Sequence, residues 1–310
     1  MNHKLKAWAT GKGRLAVLDI AELAETSRYI SGLEESGQLD GRLFRTYLSS
    51  LVLSASTPEP RWRSIILLSV PRPAHQLIFE RDSGPFKCFI PPTYVGYRKL
   101  SGMLLKDLRT FMGRDLPKTA ILRAPLKRLA VRSGLAAYGR NNITYSGEYG
   151  SYHQLLGFLG ESEIAPFCSD GPVENPQLPA CARCSACARR CPTQAIDRER
   201  FLIHAEKCFT LFTENPGRLP PVRDKLAGEM LCLAGCLACQ TVCPVNKGKL
   251  KIELAPVSFT AAETKHLLDV GGKRGNPVYE GIRKKLKILG MLHYQNRIGR
   301  NLRFIMNISN

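Results

Sequence analysis

The stretch CARCSACARRCP at residues 181–192 sets four cysteines at x2, x2 and x3 separations and follows the last with a proline. It constrains the chain more than any other feature, because Cys181-x2-Cys184-x2-Cys187-x3-Cys191-Pro192 is the bacterial spacing for 4Fe-4S ligation. The short separations let one tight loop turn successive sulfurs toward a common centre, and Pro192 ends that loop and redirects the chain. A second group, Cys236-x2-Cys239-x3-Cys243-Pro244, repeats the latter half of the pattern. In two-cluster proteins the cysteine before the proline serves the other cluster. The spacing therefore assigns Cys181, Cys184, Cys187 and Cys243 to one centre and Cys191, Cys236 and Cys239 to a second. The fourth ligand of the second is Cys208 or Cys232, between which spacing alone does not choose.

Metal takes precedence over disulfides because of the compartment. MNHKLKAWATGKGRLAVLDI has no continuous apolar run before a small-residue cleavage site, so no signal peptide is expected. The longest clean apolar stretch, SIILLSV at 64–70, is far shorter than a membrane helix needs, so no span is expected either. A cytoplasmic chain with 11 cysteines points to thiolate–metal chemistry. Zinc explains Cys-x2-Cys pairs, but eight cysteines in two such arrays, each closed by Cys-Pro, fit tetrahedral zinc poorly. Cys88 and Cys168 lie outside the arrays and read as ordinary semi-buried thiols.

The cluster region occupies only 181–245 of 310 residues, so the first part of the chain needs its own explanation. Apolar residues at 44% and charged residues at 23% exclude disordered and fibrous classes. RSIILLSVP at 63–71 reads as a buried strand, YVGYRKLSGMLLKDLRTFMG as a helix over about 97–113, and a further helix runs over about 123–134. AAYGRNNITYSGEYGSYHQLLGFL carries glycines among aromatics, the mark of a turn, a strand pair and a close backbone approach. The proline-rich APFCSDGPVENPQLPA separates this region from the clusters, giving domains at 1–170, 171–258 and 259–310. From Gly271 onward nine basic residues (Lys273, Arg274, Arg283, Lys284, Lys285, Lys287, Arg297, Arg300, Arg303) stand against the single acid Glu280. Within a formal net charge of +19, this segment predicts an acidic partner, either a phosphate backbone or an acidic electron donor such as a ferredoxin or flavodoxin.

SGLAAYGRNNITYSGEYGSYHQLLGFL, CARCSACARRCPTQAI, EKCFTLFTE and CLACQTVCP together resemble the epoxyqueuosine reductase family, which shares its core with reductive dehalogenases. The basic GIRKKLKILGMLHYQNRIGRNLRFIMNI is loosely similar to the helix that follows the clusters in that family. The resemblance covers about residues 60–310. It implies an α+β chain: a nitroreductase-like, cobalamin-binding domain, a bacterial ferredoxin-like double 4Fe-4S domain, and a basic helical C-terminus. It implies Cys208 as the missing ligand, which leaves Cys232 an ordinary thiol, and it implies that Gly139, Arg140, Asn141, Gly150 and Ser151 line the corrinoid.

The chain also departs from the family. PKTAILRAPLKRLAVRSGL has no acid between Lys118 and Leu135, where members carry the residue proposed as proton donor. The family's Asp-Tyr-His segment is Val95-Gly96-Tyr97 here, which leaves Tyr97 as the candidate acid. The chain stops at Asn310, before the helical repeats that many members append. The expected function is a cobalamin-dependent iron–sulfur reductase with an altered substrate. The alternatives are an electron-transfer partner for a separate corrinoid or flavin protein, and a true epoxyqueuosine reductase acting on tRNA.

Overall fold

SIILLSV is apolar at consecutive positions because both faces of the strand it forms are covered. A computed structural model describes residues 1–56, 58–168, 176–222, 226, 230–269 and 275–309. In chain order its strands are β1 (Arg14–Asp19), β2 (Ser64–Pro71), β3 (Ala74–Phe79), β4 (Phe86–Ile90), β5 (Thr119–Ile121), β6 (Ala137–Tyr138), β7 (Thr144–Tyr145), β8 (His153–Gly160), β9 (Phe167–Cys168) and β10 (Ile252–Leu254).

The chain packs as two units. One comprises Met1–Pro71, Lys99–Ser185 and Arg198–Glu206, and the other Arg72–Arg98, Ala186–Asp197 and Lys207–Asn310. The first is built on an antiparallel sheet of order β5-β8-β2-β1-β9. Strand geometry sends alternate residues to opposite faces. Val17, Ile66, Leu68 and Phe158 therefore meet Trp8 of the Asn2–Ala9 helix and Leu104, Leu108 and Met112 of the Tyr97–Met112 helix. Ala16, Leu18, Ile65 and Leu67 meet Leu23, Ala55 and Leu129, from the helices Glu22–Glu35, Ser49–Ser56 and Leu126–Arg132. Each such side chain contributes about 1.5–3 kcal/mol on burial, which makes this double-covered sheet the rigid base for the loops above it.

The second unit holds the β3–β4 hairpin, with β10 added to β3 in parallel. Its core joins Leu77, Phe79, Cys88 and Ile90 of the hairpin to Leu233, Phe259, Leu286 and Leu302. The rings of Phe79 and Phe259 stack at 4.6 Å and 2°. The three successive domains expected from the sequence are therefore not the packing units. The hairpin belongs with the C-terminal helices, because those helices supply the apolar partners its inward face needs. Part of the expected 170/171 boundary, residues 169–175, lies outside the described residues, as do Lys273 and Arg274.

The C-terminal helices start and stop where their end residues dictate. Asn276 accepts a hydrogen bond from the Tyr279 amide at 2.7 Å, Pro277 takes the first helical position, and Gly290 ends the Pro277–Leu289 helix at φ 75°. The Gln295–Ser309 helix buries Ile298, Leu302 and Ile305 along one stripe. Mixed helix and sheet content agrees with the α+β expectation. Among the described residues no helix is long and apolar enough to cross a membrane.

Candidate functional site

In the first unit the cysteine loop is held from below by the β6–β7 hairpin. The Tyr138 amide donates to the Pro176 carbonyl at 2.7 Å and the Leu178 amide to the Tyr138 carbonyl at 2.8 Å, so β6 fixes the chain just before Cys181. The hairpin turn closes by Gly139 N–H to Ile143 C=O at 2.8 Å, with Asn142 left-handed at φ 56°. Arg140 projects from this turn onto the loop. Its amide donates to Cys181 Sγ at 3.4 Å, its Nη2 to the Cys181 carbonyl at 2.8 Å, its Nε to the Cys184 carbonyl at 3.0 Å, and its Nη1 to the Arg198 carbonyl. One planar guanidinium thus braces three turns of backbone beside two cysteines.

These contacts bear on the corrinoid set. A Cβ at Gly139 would lie 2.5 Å from a Tyr145 ring carbon and 2.6 Å from Asn141 Oδ1, so the glycine makes room for the protein's own side chains. Asn141 is buried, donates to the Tyr145 hydroxyl at 3.1 Å and accepts from the Ile143 amide at 3.3 Å. With Arg140 committed to the cysteine loop, the side chains at 139–141 do not fit as the lining of a corrinoid. Gly150, at φ 58°, and the buried Ser151 remain of that set.

The second unit gathers the other cysteines. Gln194 takes φ 55° after Cys191-Pro192-Thr193, which turns the Ala195 amide back onto Cys191 Sγ at 3.2 Å. Cys208 precedes the Phe209–Glu214 helix, and the amides of Thr210 and Leu211 donate to its sulfur. Burial pushes the Cys208 thiol up and the Cys191 sulfur adds to that. The Cys239 thiol is raised well above its ordinary range by burial, then by Cys236, Cys208, Cys187 and Cys191. Five sulfurs therefore sit close enough to feel one another's charge. Neutral thiols packed this way are weak ligands until a metal centre supplies positive charge, after which they ionise outright. Amides aimed at Cys181, Cys191 and Cys208 suit thiolates bound to a cluster, since hydrogen bonds to the sulfurs tune cluster potential. Among the described residues no three His, Cys, Asp or Glu side chains are gathered as a single metal ion requires.

Cys232 is not among the sulfurs that act on Cys239. It is buried, its backbone bridges to Phe89, and burial, Cys236 and Cys88 raise its thiol. Cys88 is fully buried in the apolar core, while Cys168 is only partly buried on β9. Gly235, at φ 76°, turns the chain into Cys236, and a Cβ there would meet the Tyr94 hydroxyl oxygen at 2.5 Å. Tyr97 begins its helix at 40% exposed, not the buried structural tyrosine that is the plainest expectation for such a residue.

The C-terminal helix holds residues that the charge pattern alone does not reveal. Arg300 donates to the carbonyls of Phe212 at 2.8 Å, Thr213 at 3.4 Å, Asn215 at 3.0 Å and Gly217. Asn301, 2% exposed, donates to the carbonyls of Thr213 and Leu233, each at 2.9 Å. The Thr213 hydroxyl in turn accepts from the Gly235 amide at 2.9 Å, so the pair ties the helix after Cys208 to the loop before Cys236. The available signal is Asn301 on the apolar stripe of Ile298, Leu302 and Ile305, where a polar side chain must find partners. Lys285 pairs with Glu263 and Arg303 donates to the Leu267 and Leu268 carbonyls, so much of the expected basic face is used within the fold.

Residues 180–246 match the family model described as a 4Fe-4S double cluster binding domain. Epoxyqueuosine reductase of Bacillus subtilis (strain 168) is 36% identical over 124 residues, 40% of this chain and 29% of that protein. That of Alicycliphilus denitrificans is 30% identical over 197 residues, 63% of this chain and 50% of that protein. The matched stretches thus span half or less of these relatives. Among solved structures, epoxyqueuosine reductase of Streptococcus thermophilus superposes with a TM-score of 0.70 at 18% identity, covering 100% of this chain and 82% of that one. An epoxyqueuosine reductase solved with an epoxyqueuosine-modified tRNA stem loop gives 0.66 at 21%, covering 97% and 79%. In its double-cluster segment and its matched sequence the chain is similar to epoxyqueuosine reductases, and it shares their fold.

Proposed function

We propose that the chain is an iron–sulfur reductase acting on epoxyqueuosine in tRNA, with electrons carried through two 4Fe-4S clusters. One cluster takes Cys181, Cys184, Cys187 and Cys243, the other Cys191, Cys208, Cys236 and Cys239. The observation that carries the reading is the cysteine array, with amides donating to the sulfurs of Cys181, Cys191 and Cys208, set in a chain similar to epoxyqueuosine reductases. The net charge of +19 favours a polyanionic substrate over a small neutral one. Reducing an epoxide to an alkene takes two electrons and two protons and releases the oxygen as water, so the clusters supply the electrons and a positioned acid the protons. Tyr97 is our candidate for that acid. The nitroreductase-like character of the first unit and its cobalamin stay what the resemblance implies.

A second reading has one feature in its favour: no acid stands between Lys118 and Leu135. In it the chain hands electrons to a separate corrinoid or flavin protein. One experiment separates the two. Cluster-reconstituted protein is incubated anaerobically with a low-potential reductant and epoxyqueuosine-bearing tRNA, with and without cob(II)alamin, and the nucleosides are weighed by mass spectrometry. Loss of one oxygen from the modified base supports the proposal. Clusters that turn over against a corrinoid protein while the tRNA stays unchanged would favour the second reading.

A further inference from the structure

The clusters need an outside source of electrons, and the second unit presents a face suited to one. β10 is the edge of its sheet: β3 pairs with one side, and among the described residues no strand pairs with the other. Its side chains are turned to solvent, Ile252 at 50% and Leu254 at 68% exposed. Lys247 and Lys251 are exposed just before it, with the partly buried Lys249 between them. This segment leads directly from Cys243. The Asn246 amide donates to the Cys243 carbonyl at 3.0 Å, the Lys247 amide to the Pro244 carbonyl at 3.2 Å and the Lys249 amide to the Asn246 carbonyl at 3.0 Å, so the turns keep the lysines beside that cysteine. The Asn246 side chain pins them by donating to the Gln240 carbonyl at 2.9 Å.

Exposed aliphatic side chains on an open strand edge, flanked by cations, suit a protein partner that buries apolar area and presents carboxylates. A phosphate backbone gains nothing from Ile252 or Leu254, whereas a protein partner buries them. We propose that Lys247–Leu254 docks an acidic, low-potential one-electron carrier protein that reduces the cluster holding Cys243. This rests on reading the chain as a two-cluster reductase. In each encounter the carrier is oxidised by one electron and the cluster reduced by one, with no bond made and no proton moved. Two encounters supply the two electrons of one turnover.

Stopped-flow reduction of the reconstituted holoprotein tests this, using a reduced acidic ferredoxin and, separately, reduced methyl viologen, a small reductant that needs no docking face. Wild type is compared with the Lys247→Glu/Lys251→Glu double variant and with Leu254→Glu, each checked for iron content and circular dichroism. The expected result is a ferredoxin rate at least about tenfold lower in the double variant, with loss of its ionic-strength dependence, and an unchanged viologen rate. Leu254→Glu should also slow ferredoxin alone. Unchanged ferredoxin rates in both variants would overturn the docking proposal and leave the reductase reading standing. So would weakened tRNA binding with ferredoxin reduction intact, which would assign the face to RNA. Protein without iron, inert to viologen, would overturn the reductase reading and the proposal with it.

Discussion

The Arg140 guanidinium donates to the Cys181 carbonyl at 2.8 Å while its own amide donates to Cys181 Sγ at 3.4 Å, so one residue holds both the backbone and the sulfur of the first cysteine in the array. Loss of charge-assisted hydrogen bonds to these part-buried carbonyls costs about 1.5–3 kcal/mol. Arg140→Ala is therefore expected to lower the unfolding free energy measured in urea by about 1.5–3 kcal/mol and to cut bound iron from about eight to about four per chain. Arg140→Lys should rescue little, because a single ammonium cannot span the carbonyls of Cys181, Cys184 and Arg198. Full iron in both variants would show that the brace is dispensable.

Asn301→Leu should act on the other half of the array. It leaves the buried carbonyls of Thr213 and Leu233 without their amide donor and costs about 1–3 kcal/mol for each. We expect faster iron loss to a chelator, together with a shift in the spectrum of one cluster only. Equal effects on both clusters would point to global destabilisation instead.

Gly139→Ala distinguishes packing from ligand approach. The new methyl would press on Tyr145 and Asn141, so the protein is expected to lose about 1–3 kcal/mol with no cofactor added. A stable variant that fails only in the presence of cobalamin would mean instead that the glycine faces the corrinoid.

His153 gives the pH dependence a sign. Its Nδ1 accepts from the Ser69 hydroxyl at 2.9 Å and its Nε2 donates to the Thr144 carbonyl at 3.0 Å, the arrangement of a neutral ring. Burial holds its pKa down to about 4; the Thr144 carbonyl opposes this and Arg14 adds to it. Above the ordinary histidine value of about 6.5 neither the folded nor the unfolded state is protonated. Between 6.5 and 4 the unfolded chain binds the extra proton, so stability is lost as the pH is lowered, by about 3 kcal/mol in all. Thermal melts at pH 7 and pH 5 should show this drop in wild type and a smaller one in His153→Gln.

The cysteine code was legible because iron–sulfur ligation is written in local spacing. So were the buried strand at 64–71, a continuous apolar run, and the helix at 97–112, whose apolar residues recur at helical spacing. β1 was not, since RLAVLD is short and shows itself as a strand only once β2 and β9 pair with it. The exchange of the β3–β4 hairpin into the second unit was invisible for a related reason: its partners Phe259 and Leu302 lie far along the chain. The charge count at the C-terminus reads as a surface, whereas Arg300 and Arg303 turn inward to carbonyls that composition cannot reveal. Arg140 stands out in the sequence as corrinoid lining, and nothing there signals that its guanidinium closes on Cys181 and Cys184.

The most direct measurement of the two-cluster account is an iron and sulfide count, with electron paramagnetic resonance of the dithionite-reduced protein, on Cys208→Ala beside Cys232→Ala. Cys208 is among the sulfurs that act on Cys239, whereas Cys232, although it feels Cys236 and Cys88, is not. The account predicts about eight irons in wild type and in Cys232→Ala, and about four, with one cluster signal lost, in Cys208→Ala. Eight irons in Cys208→Ala and four in Cys232→Ala would contradict it.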